Sequence, residues 1–308
     1  MLTVPLYAWI GFTVFILVML ALDLGVFHRR SHVVKWQEAL GWTTAWVTLA
    51  MLFGAGLWQF AGPDKALEFY TGYLLELSLS ADNVFVIALL FTYFAVPTRF
   101  QHKVLFWGVL GAVVLRFTMI ILGTALVHQA AWVLYAFGGL LIVAGGKMIV
   151  DREEEVHPES NPIVKLVRRM MPVTRDYHED RFIVHEAGKR MATPLFIVLV
   201  SVEVTDVMFA IDSIPAIFSV TIDPFIVFTS NVFAILGLRS LYFLLAQAIS
   251  AFRFLKQGLG IVLAFAGVKM LLAHTAWKLE NSVALAVIAT TLGFSIALSL
   301  ILPAPKAK

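Results

Sequence analysis

The chain has 308 residues, of which 60% are hydrophobic and only 14% are charged. Soluble domains are about a quarter charged, so this composition excludes a mainly soluble protein and predicts an integral protein of the lipid bilayer. Cysteine is absent, which excludes disulfides, thiolate metal sites and cysteine redox chemistry. The formal net charge of +3 comes from basic residues in loops beside apolar segments, a pattern of membrane orientation rather than of nucleic-acid binding.

A helix needs about 20 apolar residues to cross a membrane, and the sequence predicts nine such spans. The first run, from Val4 to Phe27, has no basic residue before it, which is typical of a retained helix rather than a cleaved signal peptide. We therefore predict an all-α polytopic membrane protein. The spans lie near residues 5–27, 37–60, 68–95, 104–127, 131–150, 192–220, 225–250, 256–274 and 281–302.

The basic residues outside these spans are divided unequally between the two sides of the membrane. One side has only Lys65 and Lys278. The positive-inside rule places the other side in the cytoplasm, with the N-terminus outside and the C-terminus inside. The predicted cytoplasmic side holds Arg29, Arg30, Lys35, Arg99, Lys103, Arg152, Lys165, Arg168, Arg169, Arg175, Arg181, Lys189, Arg190, Arg253, Lys256, Lys306 and Lys308.

The only sizeable polar segment is residues 151–191, which we predict to be a cytoplasmic loop. Its start, 151–155, is acidic, and apolar positions from Ile163 to Met171 predict a short amphipathic helix on the inner membrane surface. We interpret the loop as a linker, and a role in regulation or partner docking stays open. The single transmembrane domain then divides into two N-terminal helices (1–66), a first repeat (67–150), this loop, a second repeat (192–275), and a last helix with its tail (276–308).

The two predicted repeats have similar sequences. Spans three to five correspond to spans six to eight, and because each copy has an odd number of helices, the second must be inverted. Such folds bind their substrate near the membrane midplane. Lys147 and Lys269 lie near span ends, where long side chains are expected to snorkel. The aligned segments are 108–116 with 231–239, 146–148 with 268–270, and Asp82-Asn83 with Asp212-Ser213.

Five acidic residues lie inside apolar spans, Glu76 and Asp82 in the third and Glu203, Asp206 and Asp212 in the sixth. A charge in hydrocarbon costs roughly 2.5–3.5 kcal/mol on insertion scales, so such residues mark ion or proton sites by default. The competing interpretation is that they only form ion pairs with arginines in the spans, which would account for two of the five.

The predicted site offers oxygen ligands only, because none of the histidines falls in the acidic spans. Asn83 and Ser213 can add oxygens, and Pro215 is expected to break its helix and release carbonyls. Hard divalent ions such as Mn²⁺, Mg²⁺ and Ca²⁺ prefer such ligands. Arg116 and Arg239 are expected to balance charge, and carboxylates that bind protons without metal would support proton-coupled exchange.

Two long motifs resemble the signatures of the TerC/Alx family: YLLELSLSADNVFV at 73–86 and VEVTDVMFAIDSIPA at 202–216. Residues 223–231 and 236–239 are similar to it too, so the resemblance covers nearly the whole chain. It implies Mn²⁺ export across the bacterial inner membrane, in a fold related to the LysE transporter superfamily. The family's intramembrane acids carry over onto Glu76, Asp82, Glu203, Asp206 and Asp212.

We therefore predict a proton-coupled Mn²⁺ exporter, with Ca²⁺/H⁺ exchange as the nearest variant. The resemblance also leaves open a non-transporting membrane partner in metal loading of exported proteins or in tellurite resistance. A redox modulator is a third alternative, which the absence of cysteine weakens. No ATP-binding or hydrolase motif occurs, so we expect neither an enzyme nor an organic cofactor. The sequence does not specify the oligomeric state.

Overall fold

A computed structural model describes residues 4–27, 36–130, 132–150, 162–186, 189–245, 254–273, 275 and 277–302. Ten helices and one two-stranded hairpin account for these residues. The helices are α1 Leu6–Phe27, α2 Trp36–Ala61, α3 Pro63–Tyr93, α4 Thr98–Gln129, α5 Val133–Val150, α6 Pro162–Met170, α7 Pro194–Phe218, α8 Pro224–Leu245, α9 Leu255–Leu272 and α10 Asn281–Ile301.

The predicted all-α polytopic membrane fold is confirmed. Within the described residues, eight helices are long and apolar enough to cross a membrane, namely α2–α5 and α7–α10. The remaining predicted span, which is the first in the chain, corresponds to α1, and α1 contributes the shorter apolar segment Leu6–Met19. The acidic stretch 151–155 lies outside the described residues, as do several basic residues of the predicted cytoplasmic side: Arg29, Arg30, Lys35, Arg152, Arg253, Lys306 and Lys308.

Two local features differ from the sequence expectations. The α7 helix is not broken at Pro215 but continues through it to Phe218. Because Pro215 lies in the last turn, its missing N–H costs one hydrogen bond and the helix ends shortly afterwards. The polar loop also contains an unpredicted antiparallel hairpin, β1 Ile183–Glu186 and β2 Lys189–Ala192. The predicted amphipathic helix in this loop is present as α6.

The α8 helix is the centre of the bundle, because nearly all of its residues are buried. It packs against α2, α3 and α4. Aromatic rings fill the space between α8 and the first three helices, with centroids of Phe53 and Phe233 5.1 Å apart and those of Phe12 and Phe233 5.8 Å apart. A helix that is buried on all sides can carry polar residues only where neighbouring helices supply hydrogen-bond partners. Asn231 of α8 is such a buried polar residue, and it is part of the site described below.

Helices α5 and α9 cross through a reciprocal set of glycines. A Cβ on Gly260 would lie 2.8 Å from the Gly145 carbonyl oxygen, and a Cβ on Gly267 would lie 2.6 Å from that of Gly138. The later residue of α5 meets the earlier residue of α9, so the helices are antiparallel. In the repeat alignment, Gly260 is the counterpart of Gly138 and Gly267 is the counterpart of Gly145. Each α5 glycine therefore contacts the counterpart of the other α5 glycine, as a two-fold axis between inverted copies requires. The inverted repeat itself stays a prediction, which this packing supports.

The substitution Gly145→Ala is expected to destabilise the protein by about 1–3 kcal/mol through overpacking. The new methyl group would lie 2.6 Å from the backbone nitrogen of Ala264, which cannot rotate away. Gly146→Ala is the matched control on the same helix, because nothing lies within 4 Å of its Cβ position. Thermal unfolding of the detergent-purified variants measures the difference. Equal stability of the two variants would contradict the close crossing.

Candidate functional site

The centre of the bundle holds one buried arginine that joins two acidic helices. Arg116 of α4 is only 1% exposed. Its Nη1 donates to Glu76 Oε2 of α3 at 2.7 Å. Its Nη2 and Nε donate to Asp206 Oδ1 and Oδ2 of α7, at 3.2 and 3.5 Å. Each of the three residues lies near the middle of its helix, at the depth where the sequence analysis expects the site.

Burial makes this group, here called the central triad, costly to disrupt. Moving an ion from water into a protein interior costs several kcal/mol, and good hydrogen-bond geometry must offset that cost. The Arg116 guanidinium does so with charge-assisted bonds to both carboxylates, two of them to Asp206. With both acids ionised the triad has a formal charge of −1, so its surroundings still favour a further positive charge.

Polar atoms without hydrogen-bond partners lie beside the triad. Ser213 of α7 accepts a bond from Arg116 Nη1 at 3.1 Å, so this predicted helper residue is part of the site. Asn231 of α8 lies near the Glu76 carboxylate but outside hydrogen-bond geometry. Glu76 Oε1 and both amide atoms of Asn231 are buried without partners. Since buried polar atoms are nearly always satisfied, these atoms make this part of the bundle the candidate ligand site.

Glu203 lies one helical turn before Asp206 on α7, and its carboxylate rests directly on Gly111 of α4. A Cβ at Gly111 would overlap the carboxylate, so the present position of the Glu203 side chain depends on glycine there. Glu203 Oε2 is buried and has no hydrogen bond. The acid is thus held against the same helix that carries Arg116.

A cavity of about 20 Å³ lies next to Asp206 and is lined in part by Asn83 and Thr205. This volume is about that of one water molecule or one ion. Asn83 Oδ1 is buried without a hydrogen-bond partner. Asn83 thus lines this cavity, and its role as an oxygen ligand stays a prediction, whereas Thr205 was not among the predicted ligands.

The other predicted site residues flank this centre. Asp82 and Asp212 are half-buried on α3 and α7, and Arg239 is buried on α8. Across the described part of the chain, no three His, Cys, Asp or Glu side chains stand together as a metal-ligand group. The five predicted acids are thus not preassembled as one metal centre in this conformation, and two of them are arranged around a guanidinium.

A cavity of about 1110 Å³, here called the vestibule, opens at the end of the bundle where α3, α8 and α10 begin. Its wall carries an ion-pair network that the sequence analysis missed. Lys65 contacts Glu68 at 2.9 Å and Asp223 at 3.1 Å. Thr221 donates to the same Glu68 carboxylate at 2.7 Å. The available sequence signal was the position of Glu68, two turns before Glu76 on α3.

Lys269 also lines the vestibule, and the expectation that it snorkels is wrong. Its side chain is buried, with 5% of the residue exposed, and donates to Asn281 Oδ1 at 2.6 Å. Its predicted repeat counterpart, Lys147, is exposed as expected. The difference arises because α9 ends against α10, whose first residue supplies an acceptor for the ammonium.

Apolar side chains close the opposite end of the bundle. There α3, α4, α7 and α8 pack through buried apolar side chains, and Tyr177 of the polar loop donates to the Phe94 carbonyl at 2.7 Å. The central triad thus has a polar vestibule towards one end of the bundle and packed apolar side chains towards the other. The packed residues include Val84, Ile87, Leu90, Val104, Leu105, Leu195, Val198, Val202 and Leu238.

A multi-pass helical bundle with ionised groups buried at mid-helix defines a membrane protein with an internal polar site. The chain matches the model of the Integral membrane protein TerC family over residues 61–307, and it belongs to that family. The resemblance found in its motifs is therefore confirmed.

Three relatives show how widely the similarity extends along the chain. The uncharacterized membrane protein STKORF319 of Myxococcus xanthus is 52% identical over 293 residues, covering 95% of this chain and 92% of the relative. The "Putative membrane-bound redox modulator Alx" of Escherichia coli is 47% identical over 273 residues, covering 86% and 85%. An uncharacterized membrane protein of Rickettsia felis is 39% identical over 294 residues, covering 96% and 97%. No solved structure matches the chain.

The substitution Arg116→Ala is expected to destabilise the protein by about 3–5 kcal/mol, because it leaves two buried carboxylates without their counter-charge. Arg99→Ala is the control, since Arg99 is an exposed arginine on the same helix. Adding Glu76→Gln and Asp206→Asn to Arg116→Ala should recover part of the loss. Unfolding of the purified variants in detergent tests this, and an Arg116→Ala protein as stable as Arg99→Ala would contradict it.

Proposed function

We propose that this protein transports divalent cations across the membrane, with Mn²⁺ as its substrate and the central triad as the core of its binding site. The observation that carries the proposal is the burial of Glu76, Asp206 and Arg116 at mid-helix, beside orphaned oxygens and a cavity of one-ion size. Ionisable residues at this depth are functional by default. Carboxylate, amide and hydroxyl oxygens suit Mn²⁺, Mg²⁺ and Ca²⁺ better than Zn²⁺ or Cu⁺.

Charge balance favours a divalent over a monovalent substrate. Glu76, Asp206 and Glu203 together with Arg116 have a formal charge of −2 when all four are ionised. One divalent ion cancels this charge, whereas a monovalent ion leaves half of it in a low-dielectric environment. Carboxylates that release the metal can take up protons instead, which is the basis for proposing proton-coupled exchange.

The two ends of the bundle differ in a way that bears on the conformation, whereas export as the direction of transport is what the family resemblance implies. The vestibule lies on the side that the charge pattern assigns to the outside of a bacterial inner membrane, with the N-terminus outside and the C-terminus in the cytoplasm. Gly72 of α3 packs against Ile217 and Ser230, between vestibule-lining Glu68 and the central Glu76. We infer an outward-facing conformation in which this thin layer separates the site from the vestibule. Alternating access would close the vestibule and open the apolar end.

The name of the Escherichia coli relative, which describes a redox modulator, suggests a different activity. A thiol-based mechanism is not available to this chain, because it contains no cysteine. Transport of a redox-active metal would affect the redox state of a cell without any redox chemistry in the protein. Cation transport therefore accommodates that name and explains the buried acids as well.

Uptake of Mn²⁺ into sealed proteoliposomes under an imposed pH gradient tests the proposal. The wild type is expected to show gradient-dependent flux. Asp82→Asn and Asp206→Asn are each expected to reduce it to background, because each removes a negative charge from an acidic span. Ca²⁺ and Mg²⁺ as competitors at equal concentration measure the selectivity of the site.

Asp180→Asn serves as the control for these variants. Asp180 is an exposed acid of the polar loop that pairs with Lys103 at 3.0 Å, so its loss should leave the flux unchanged. Absence of wild-type flux in correctly inserted protein would sink the transport proposal. It would favour a non-transporting partner in metal loading or tellurite resistance, since such a protein moves no ion on its own.

A further inference from the structure

We propose that Arg116 is a tethered counter-cation that alternates with the transported divalent ion for the carboxylates of Glu76 and Asp206. This inference rests on the proposed transport function and specifies how its site exchanges charge. Its basis is that the Arg116 guanidinium is bound to Glu76 and Asp206, the carboxylates that we propose as ligands of the ion.

The first argument is geometric. Both Asp206 oxygens and Glu76 Oε2 point at the Arg116 guanidinium, all within 3.5 Å of its nitrogens. A metal ion that binds the same carboxylate oxygens must displace the guanidinium from them, including an ion that enters the cavity beside Asp206. The two cations therefore exclude each other by position as well as by charge repulsion. This exclusion also explains why the described acids do not form a metal-ligand group in this conformation.

The second argument is that an alternative partner for Arg116 is present. Glu203 lies one turn from Asp206 on α7, and its carboxylate rests on α4 at Gly111, five residues before Arg116. Its Oε2 is buried and makes no hydrogen bond. When the metal takes Asp206, the exchange requires the guanidinium to move along α4 towards Glu203, so that no charge is left unpaired. Glu203 is then a positioning residue that acts through Arg116.

The third argument is that the site already offers ligands to complete the coordination of an incoming ion. Glu76 Oε1 and Asn83 Oδ1 are orphaned and buried, and the cavity beside Asp206 accommodates one ion. These groups lie next to the carboxylates that Arg116 would release. Return of the guanidinium to Asp206 would then help to expel the metal, which is the step that a tight acidic site otherwise makes slow.

A double-mutant cycle with Mn²⁺ as the probe tests this exchange. Arg116→Gln is expected to bind Mn²⁺ at least about fivefold more tightly than the wild type, because the competitor is gone. Its flux in proteoliposomes should fall to background, because nothing expels the ion. Glu203→Gln should weaken binding by a similar factor, because Arg116 then has no alternative partner. The double variant should bind like Arg116→Gln alone, since Glu203 acts only through Arg116.

Each other outcome overturns the exchange. If Arg116→Gln bound Mn²⁺ more weakly while the wild type bound and transported it, Arg116 would be a purely structural residue. The proposed transport function would be unaffected by that result. If Glu203→Gln reduced Mn²⁺ affinity equally in the wild type and in Arg116→Gln, Glu203 would be a direct ligand of the ion. An equal gain in affinity for Arg239→Gln would indicate a general charge effect. Absence of Mn²⁺ binding and flux in the wild type would overturn the transport function itself.

Folding of the Arg116→Gln variant is a further test. If Mn²⁺ replaces the guanidinium as counter-cation, saturating Mn²⁺ should raise the melting temperature of Arg116→Gln more than that of the wild type. A variant that cannot be recovered folded even in saturating Mn²⁺ contradicts the exchange, because the metal then fails to pair the two acids.

Discussion

The ion pairs of Arg116 at the centre of the bundle constrain much of the remaining structure. A guanidinium in this position needs acids from two other helices, and α3 and α7 supply them as Glu76 and Asp206. These contacts fix three mid-helix points relative to one another. The surrounding packing follows from that constraint, because glycines at close approaches allow the helices to bring short acidic side chains into reach.

Apolar packing holds the frame within which this charged group works. The antiparallel crossing of α5 and α9 depends on backbone contacts between glycines, so the two helices form a pair with little freedom to separate. Aromatic rings anchor α1, α2 and α3 against the buried α8. The wall of the vestibule, by contrast, is also held by half-buried ion pairs of Lys65 with Glu68 and Asp223. Movement during transport is therefore expected at the ends of α3 and α7 rather than at the glycine crossing.

The sequence predicted much of this architecture, because hydropathy and charge bias reflect the bilayer directly. It identified the membrane helices, the amphipathic α6 and every member of the central triad. It did not predict which charges pair, since Arg116 is 40 residues from Glu76 and 90 from Asp206. It also missed Glu68 and Asp223, because charges at helix ends are ordinarily solvated and only the tertiary structure encloses them in a vestibule.

A cluster of carboxylates that binds a divalent ion has a second requirement, which concerns the state without the ion. Two ionised acids facing each other in a low-dielectric interior repel, so the ion-free site needs either protons or another cation. A proton neutralises one carboxylate but leaves no structural link between helices. A buried arginine neutralises and also joins α3, α4 and α7 while the ion is absent. An intramembrane arginine paired with acids is thus compatible with an ion site, and under the proposed exchange the ion-pair interpretation and the transport interpretation describe two states of one cluster.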